Sequence, residues 1–293
     1  MEGTPPEVEA RAPAPPAGAL AQGLRYLVAI LVVAVWMAIG FAFHMTGNNS
    51  NIYLVLTIPA VVLFQLVIRR QPLREVWVRG SPRFRLDWIV AVVFALLALV
   101  PAYETVVSVQ TRNWPQFLYS LAAVGGAFGA AYALRNAWRQ MAWQLPLGVA
   151  VVCVIGVVLY VAEALLFAHG LRHPRPLVAA RSAALSFFTY LPAVFVVEEV
   201  FFRGTLDSYL HEHERGIGWL SAIVVSALWG LWHVPVTYSG HGSLLRVILE
   251  LLVFQIALGI PLSIFWRISR NLLVPGAAHA LNDALRNMLV GLP

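Results

Sequence analysis

Apolar residues in this 293-residue chain run in long blocks, with little of the alternation that would mark strands. Blocks fall near residues 24–43, 51–68, 88–107, 116–134, 146–168, 183–211, 217–234, 244–266 and 272–290. A helix needs about 20 apolar residues to cross a bilayer and satisfies its own backbone hydrogen bonds there. The pattern predicts an all-α, polytopic transmembrane helix bundle of about 8–9 spans. Residues 1–19 are rich in proline and alanine, carry Glu2, Glu7 and Glu9, and lack the basic start and apolar core of a signal peptide. They are expected to form a disordered tail ahead of N-terminal transmembrane helices over 20–182 and a second helical region over 183–293.

The polar positions between the blocks bear on topology. The stretch 69–87, RRQPLREVWVRGSPRFRLD, carries six arginines and is expected on the cytoplasmic side. Alternation then places Arg135, Arg139, Arg267 and Arg270 inside as well. It leaves Arg172, Arg175 and Arg181 outside, so the side to which a site would open stays undecided. Gly125 and Gly129 make a small-xxx-small spacing that suits close helix approach.

Composition agrees with a membrane protein: 60% of residues are hydrophobic and 12% charged, against about 25% charged in soluble domains. All twenty basic residues are arginine, so the formal charge of +6 reads as loop arginines that set topology, and no nucleic-acid partner is expected. A lone cysteine, Cys153, rules out an intrachain disulfide or a thiolate metal cluster. The partner environment is the lipid bilayer, and the composition is compatible with a bacterial cell inner membrane.

Ionisable groups inside such blocks are costly and mark function when they find partners. Glu104 and Glu163 lie toward block ends, where an interfacial placement suffices. Glu250 follows Arg246 by four residues, so a local ion pair explains it. The stretch VVEEVFFRG differs. On a helix Glu199 and Arg203 share a face and neutralise each other, which leaves Glu198 free to act.

His233 ends the block SALWGLWH just before Pro235, and the proline predicts a helix end near the imidazole. With ERGIG (214–218) as the turn, Glu198 lies sixteen residues before it and His233 fifteen after it. At about 1.5 Å per residue the two reach a similar depth and can grip one water. In VPGAAHALNDAL, Pro275 suits a first helical turn, and His279, Asn282 and Asp283 fall on one face near a positive helix end suited to an oxyanion. The histidines at 44, 169, 173, 211, 213 and 241 are expected to be solvated or interfacial, His241 being placed where an entrance could lie.

Taken in order, EEVFFRG, WGLWH and HALND resemble the CPBP family of intramembrane proteases (CAAX prenyl protease and bacteriocin-processing, or Abi). The family pattern is Glu-Glu-x-x-x-Arg, an aromatic-x-x-x-His, and His-x-x-x-Asn or Asp. Here these fall on Glu198, Glu199 and Arg203, on Trp229 and His233, and on His279 and Asp283. Trp229 stands where phenylalanine is common. The resemblance covers roughly 183–291 and implies a CPBP-like catalytic helical core over 183–293, acting as a peptidase on a membrane-associated protein or peptide.

The expected chemistry is hydrolysis by a water held by Glu198 and His233, with Glu198 passing a proton to the leaving amine. His279 with Asn282 or Asp283 would stabilise the oxyanion. An ionised Asp283 cannot donate a hydrogen bond, so it orients His279, or is protonated, or Asn282 is the donor. Zinc on Glu198, His233 and His279 is the alternative, although no His-Glu-x-x-His presets two ligands. A proton- or metal-coupled transporter and a catalytically silent scaffold are the rival readings.

Overall fold

The computed structural model describes residues 18–80, 86–136, 138–167, 176–212, 214 and 216–289. Residues 1–17 of the expected tail, Arg172 and Arg175, and the histidines at 169, 173 and 213 lie outside them. Among the described residues the structure is helical, with one isolated bridge between Val78 and Asn271 and no strand.

Its α-helices are α1 (Ala19–Ala42), α2 (Ser50–Val55), α3 (Thr57–Leu63), α4 (Trp88–Gln110), α5 (Trp114–Asn136), α6 (Trp138–Phe167), α7 (Pro176–Val194), α8 (Ser208–His211), α9 (Trp219–Thr237), α10 (Leu244–Ser269) and α11 (Leu273–Leu289). A π-helix over Phe195–Asp207 joins α7 to α8 without a break. Eight stretches are long and apolar enough to cross a membrane: Leu20–Ala42, Gly47–Ile68, Trp88–Gln110, Trp114–Asn136, Met141–Leu166, Leu177–His211, Trp219–Thr237 and Leu244–Ser269. The ninth apolar block is α11, which is shorter and more polar. Its first half is buried against α6 and α7.

Glycines set the close approaches. A Cβ at Gly126 would lie 1.9 Å from the Pro192 carbonyl oxygen, and one at Gly129 would lie 2.9 Å from the Phe195 ring. Gly125 faces open space. The close-packing pair is therefore Gly126 and Gly129, one residue off the expected spacing at its first member, because Gly126 turns its bare face to α7.

Pro235 does not end α9. The helix runs on to Thr237, and Pro235 packs where a Cβ on Gly40 of α1 would come within 2.6 Å. Membrane helices tolerate an internal proline when neighbouring elements support the turn. Helix α11 is anchored at its start. Asn271 donates through Nδ2 to the Ala133 carbonyl at 2.8 Å and accepts through Oδ1 from Leu273 N at 2.9 Å. Backbone bonds from Leu272 N to Trp77 O and from Arg79 N to Arg270 O, each 2.9 Å, tie this turn to the arginine-rich loop.

Candidate active site

The stretch that carries the paired glutamates is π-helical, a form that is rare and tends to occur at functional sites. Hydroxyls follow its wider turn: Thr205 donates to Val200 O at 2.8 Å and Ser208 to Arg203 O at 3.0 Å, each five residues back. The stretch is almost wholly buried. Glu199 and Arg203 are both 0% exposed, so each charge requires its partner there. Arg203 Nη1 donates to Glu199 Oε1 at 3.1 Å, the pairing that the spacing predicts. The guanidinium also lies over the Trp229 ring at 4.2 Å, within cation–π range.

Glu199 has a second tie. His279 Nδ1 stands 2.8 Å from the same Oε1, so with the carboxylate ionised this nitrogen carries the proton and donates it. His279 Nε2 faces Asp283 Oδ2 at 3.6 Å, and Asp283 Oδ1 lies 3.7 Å from Arg286 Nη1. The group that fixes the His279 ring is thus Glu199, on another helix. Spacing along α11 pointed only to Asp283.

Glu198 and His233 meet. His233 Nδ1 lies 2.9 Å from the Trp229 carbonyl oxygen, which can only accept, so this nitrogen is the donor. In the neutral ring Nε2 then presents a lone pair to Glu198 Oε2, 3.5 Å away. Trp229 Nε1 donates to the same Oε2 at 2.8 Å, a bond that phenylalanine at this position could not make. The indole also meets His279 edge to face, with ring centroids 4.9 Å apart. Trp229 therefore touches Glu198, Arg203, His233 and His279.

Asn282 turns elsewhere. Its Nδ2 donates to the Tyr160 hydroxyl at 2.6 Å, and a Cβ at Gly156 would lie 1.8 Å from its Oδ1. One amide proton is thus committed to α6, away from Glu198.

These groups line a cavity of about 430 Å³. Glu198, Trp229, His233, His279, Asn282 and Asp283 all face it, whereas Glu199 and Arg203 lie behind its wall. Glu163 and Glu250, which local arguments set aside, also line it, Glu250 held by Arg246 at 2.6 Å. Tyr119, Tyr160, Tyr190, Thr237, Gln255 and Arg286 add to its polar surface. No local motif marks these tyrosines, because they reach the site only through the packing of α5, α6 and α7. His241 is exposed and is not part of the lining.

A zinc set of Glu198, His233 and His279 fits this arrangement poorly. Both ring nitrogens of His279 face carboxylates, those of Glu199 and Asp283. Among the described residues no three His, Cys, Asp or Glu side chains are grouped as a metal site requires.

Residues 180–285 match the family model described as type II CAAX prenyl endopeptidase Rce1-like. No curated protein and no solved structure matches the chain. The matched stretch runs from α7 into α11 and contains every residue of the three motifs. Over residues 180–285 the chain is thus similar to the type II CAAX prenyl endopeptidase Rce1-like family, and the match does not reach the N-terminal helices.

Proposed function

We propose that the protein is an intramembrane endopeptidase that hydrolyses a peptide bond of a membrane-associated protein or peptide without a covalent intermediate. The observation that carries this reading is the meeting of two acceptors, Glu198 Oε2 and His233 Nε2, 3.5 Å apart at a cavity wall. Two acceptors repel unless a proton or a donor lies between them, and a water giving one hydrogen to each suits the pair. Glu198 takes a proton as that water attacks the carbonyl carbon, then returns it to the amine nitrogen as the C–N bond breaks. A proton on His279 Nε2, with Nδ1–H held by Glu199, supplies a donor for the oxyanion. Asp283 lies close enough to offset the positive charge on that ring.

The reading is metal-free, on the ground that His279 is turned toward two carboxylates. Its test is cleavage of a membrane-anchored peptide by purified protein. Activity should survive exhaustive metal removal and should fall by about 10²–10⁴ in Glu198→Ala and in His233→Ala, the range for a lost acid–base group. Activity lost with the metal and restored by zinc alone would overturn the metal-free form. Cleavage unaffected by either substitution would overturn the reading itself.

A further inference from the structure

The two ends of the bundle differ in charge and in openness. At one end Arg25 donates to Tyr209 O at 2.7 Å, Arg69 to Gly204 O at 3.3 Å and Arg79 to Ser208 Oγ at 3.2 Å. Arg267 grips Asp207 through Nε at 3.0 Å and reaches the carbonyls of Ile217 and Gly218 at 2.6 Å each. Arg135 meets Asp87 at 2.6 Å. The segment after α3, with Arg69, Arg70, Arg74 and Arg79, lies at this end. Beneath it Phe201, Phe202, Leu206 and Leu210 are fully buried, and so form a floor under Glu198.

The cavity occupies the opposite half. Its wall includes Thr237 at the end of α9, Val247 near the start of α10, Glu163 toward the end of α6 and Arg286 toward the end of α11. Charged side chains become more exposed in that direction, from 0% at Glu199 and 11% at Glu198 to 36% at Arg286 and 40% at Glu250. The way out from Glu198 leads away from the arginine end.

Loops rich in arginine stay in the cytoplasm. The far end bears Arg112, Arg181, Arg246 and Arg286, with Arg172 and Arg175 in the α6–α7 connection, so no loop there approaches the six of residues 69–87. We propose that the cavity opens to the extracytoplasmic face, and that the segment entering it belongs to an exported or lumenal polypeptide at the outer leaflet. The substrate half of this statement rests on the peptidase reading; the orientation does not.

The experiment uses the full chain in intact cells, in a Cys153→Ala background, with a membrane-impermeant maleimide. His241→Cys, in the exposed turn before α10, should be labelled without permeabilisation. Leu73→Cys, on the arginine-rich loop and 37% exposed, should be labelled only after it. The reverse pattern, or labelling of both in intact cells, overturns the proposal.

A second measurement needs no cysteine variant. One test peptide is displayed on either side of a single-span anchor and co-expressed with the wild-type chain or with Glu198→Ala. Glu198-dependent cleavage of the exported display alone is expected, and cleavage of the cytoplasmic display alone would overturn the proposal. If neither display is cut while labelling follows the expected pattern, the orientation stands and the peptidase reading fails.

Discussion

Trp229→Phe keeps an aromatic ring under Arg203 and beside His279 but removes the indole N–H that reaches Glu198 at 2.8 Å. A hydrogen bond to a charged group contributes about 1.5–3 kcal/mol, and each 1.36 kcal/mol is tenfold in rate. We expect kcat to fall roughly tenfold or more, with KM nearly unchanged, in steady-state cleavage assays; an unchanged kcat would remove Trp229 from the positioning of Glu198. Tyr160→Phe deletes the acceptor of the buried Asn282 amide. Leaving such a donor unpaired costs about 1–3 kcal/mol, which a lower thermal midpoint in detergent should report. At this scale the three motifs were legible, since the Glu199–Arg203 pair follows from spacing and the depth of His233 from counting residues. The Glu199–His279 bond was not legible, because it joins residues 80 apart in sequence. Nor were Tyr160 and Glu163, whose roles depend on how α6 lies against α11.

The stretch Phe195–Asp207 reads as ordinary helix in the sequence, yet it is π-helical, and nothing in its apolar pattern announces the wider turn. The hydroxyls of Thr205 and Ser208 are compatible with it but do not compel it. The boundary at Pro235 was misplaced for a related reason: a local steric preference yielded to packing of the proline against α1. Close helix approach makes a sharper test. Gly126→Ala forces a methyl into the Pro192 carbonyl of α7 and should cost about 1–3 kcal/mol, as overpacking does. Gly125→Ala meets nothing within 4 Å and should be neutral or stabilising by up to about 1 kcal/mol, since alanine suits a helix interior better than glycine. Thermal unfolding of the two variants side by side checks this; equal midpoints would show that α5 and α7 do not meet as described.

The whole molecule brings into one cavity four groups that the chain keeps apart: a carboxylate on the π-helix, an imidazole on α9, a second imidazole on α11 and tyrosines from α5, α6 and α7. The count of spans was legible because apolar block length is a one-dimensional property. The direction in which the site opens was not, because Arg172, Arg175 and Arg181 oppose the simple vote. Central to the proposed function is that Glu198 activates a water for peptide hydrolysis. Its most direct test is single-turnover cleavage of a membrane-anchored peptide by Glu198→Gln, which keeps the shape of the side chain and removes its charge. The account predicts folded protein whose cleavage rate is lower by about 10²–10⁴. Cleavage at the wild-type rate by this variant would contradict it.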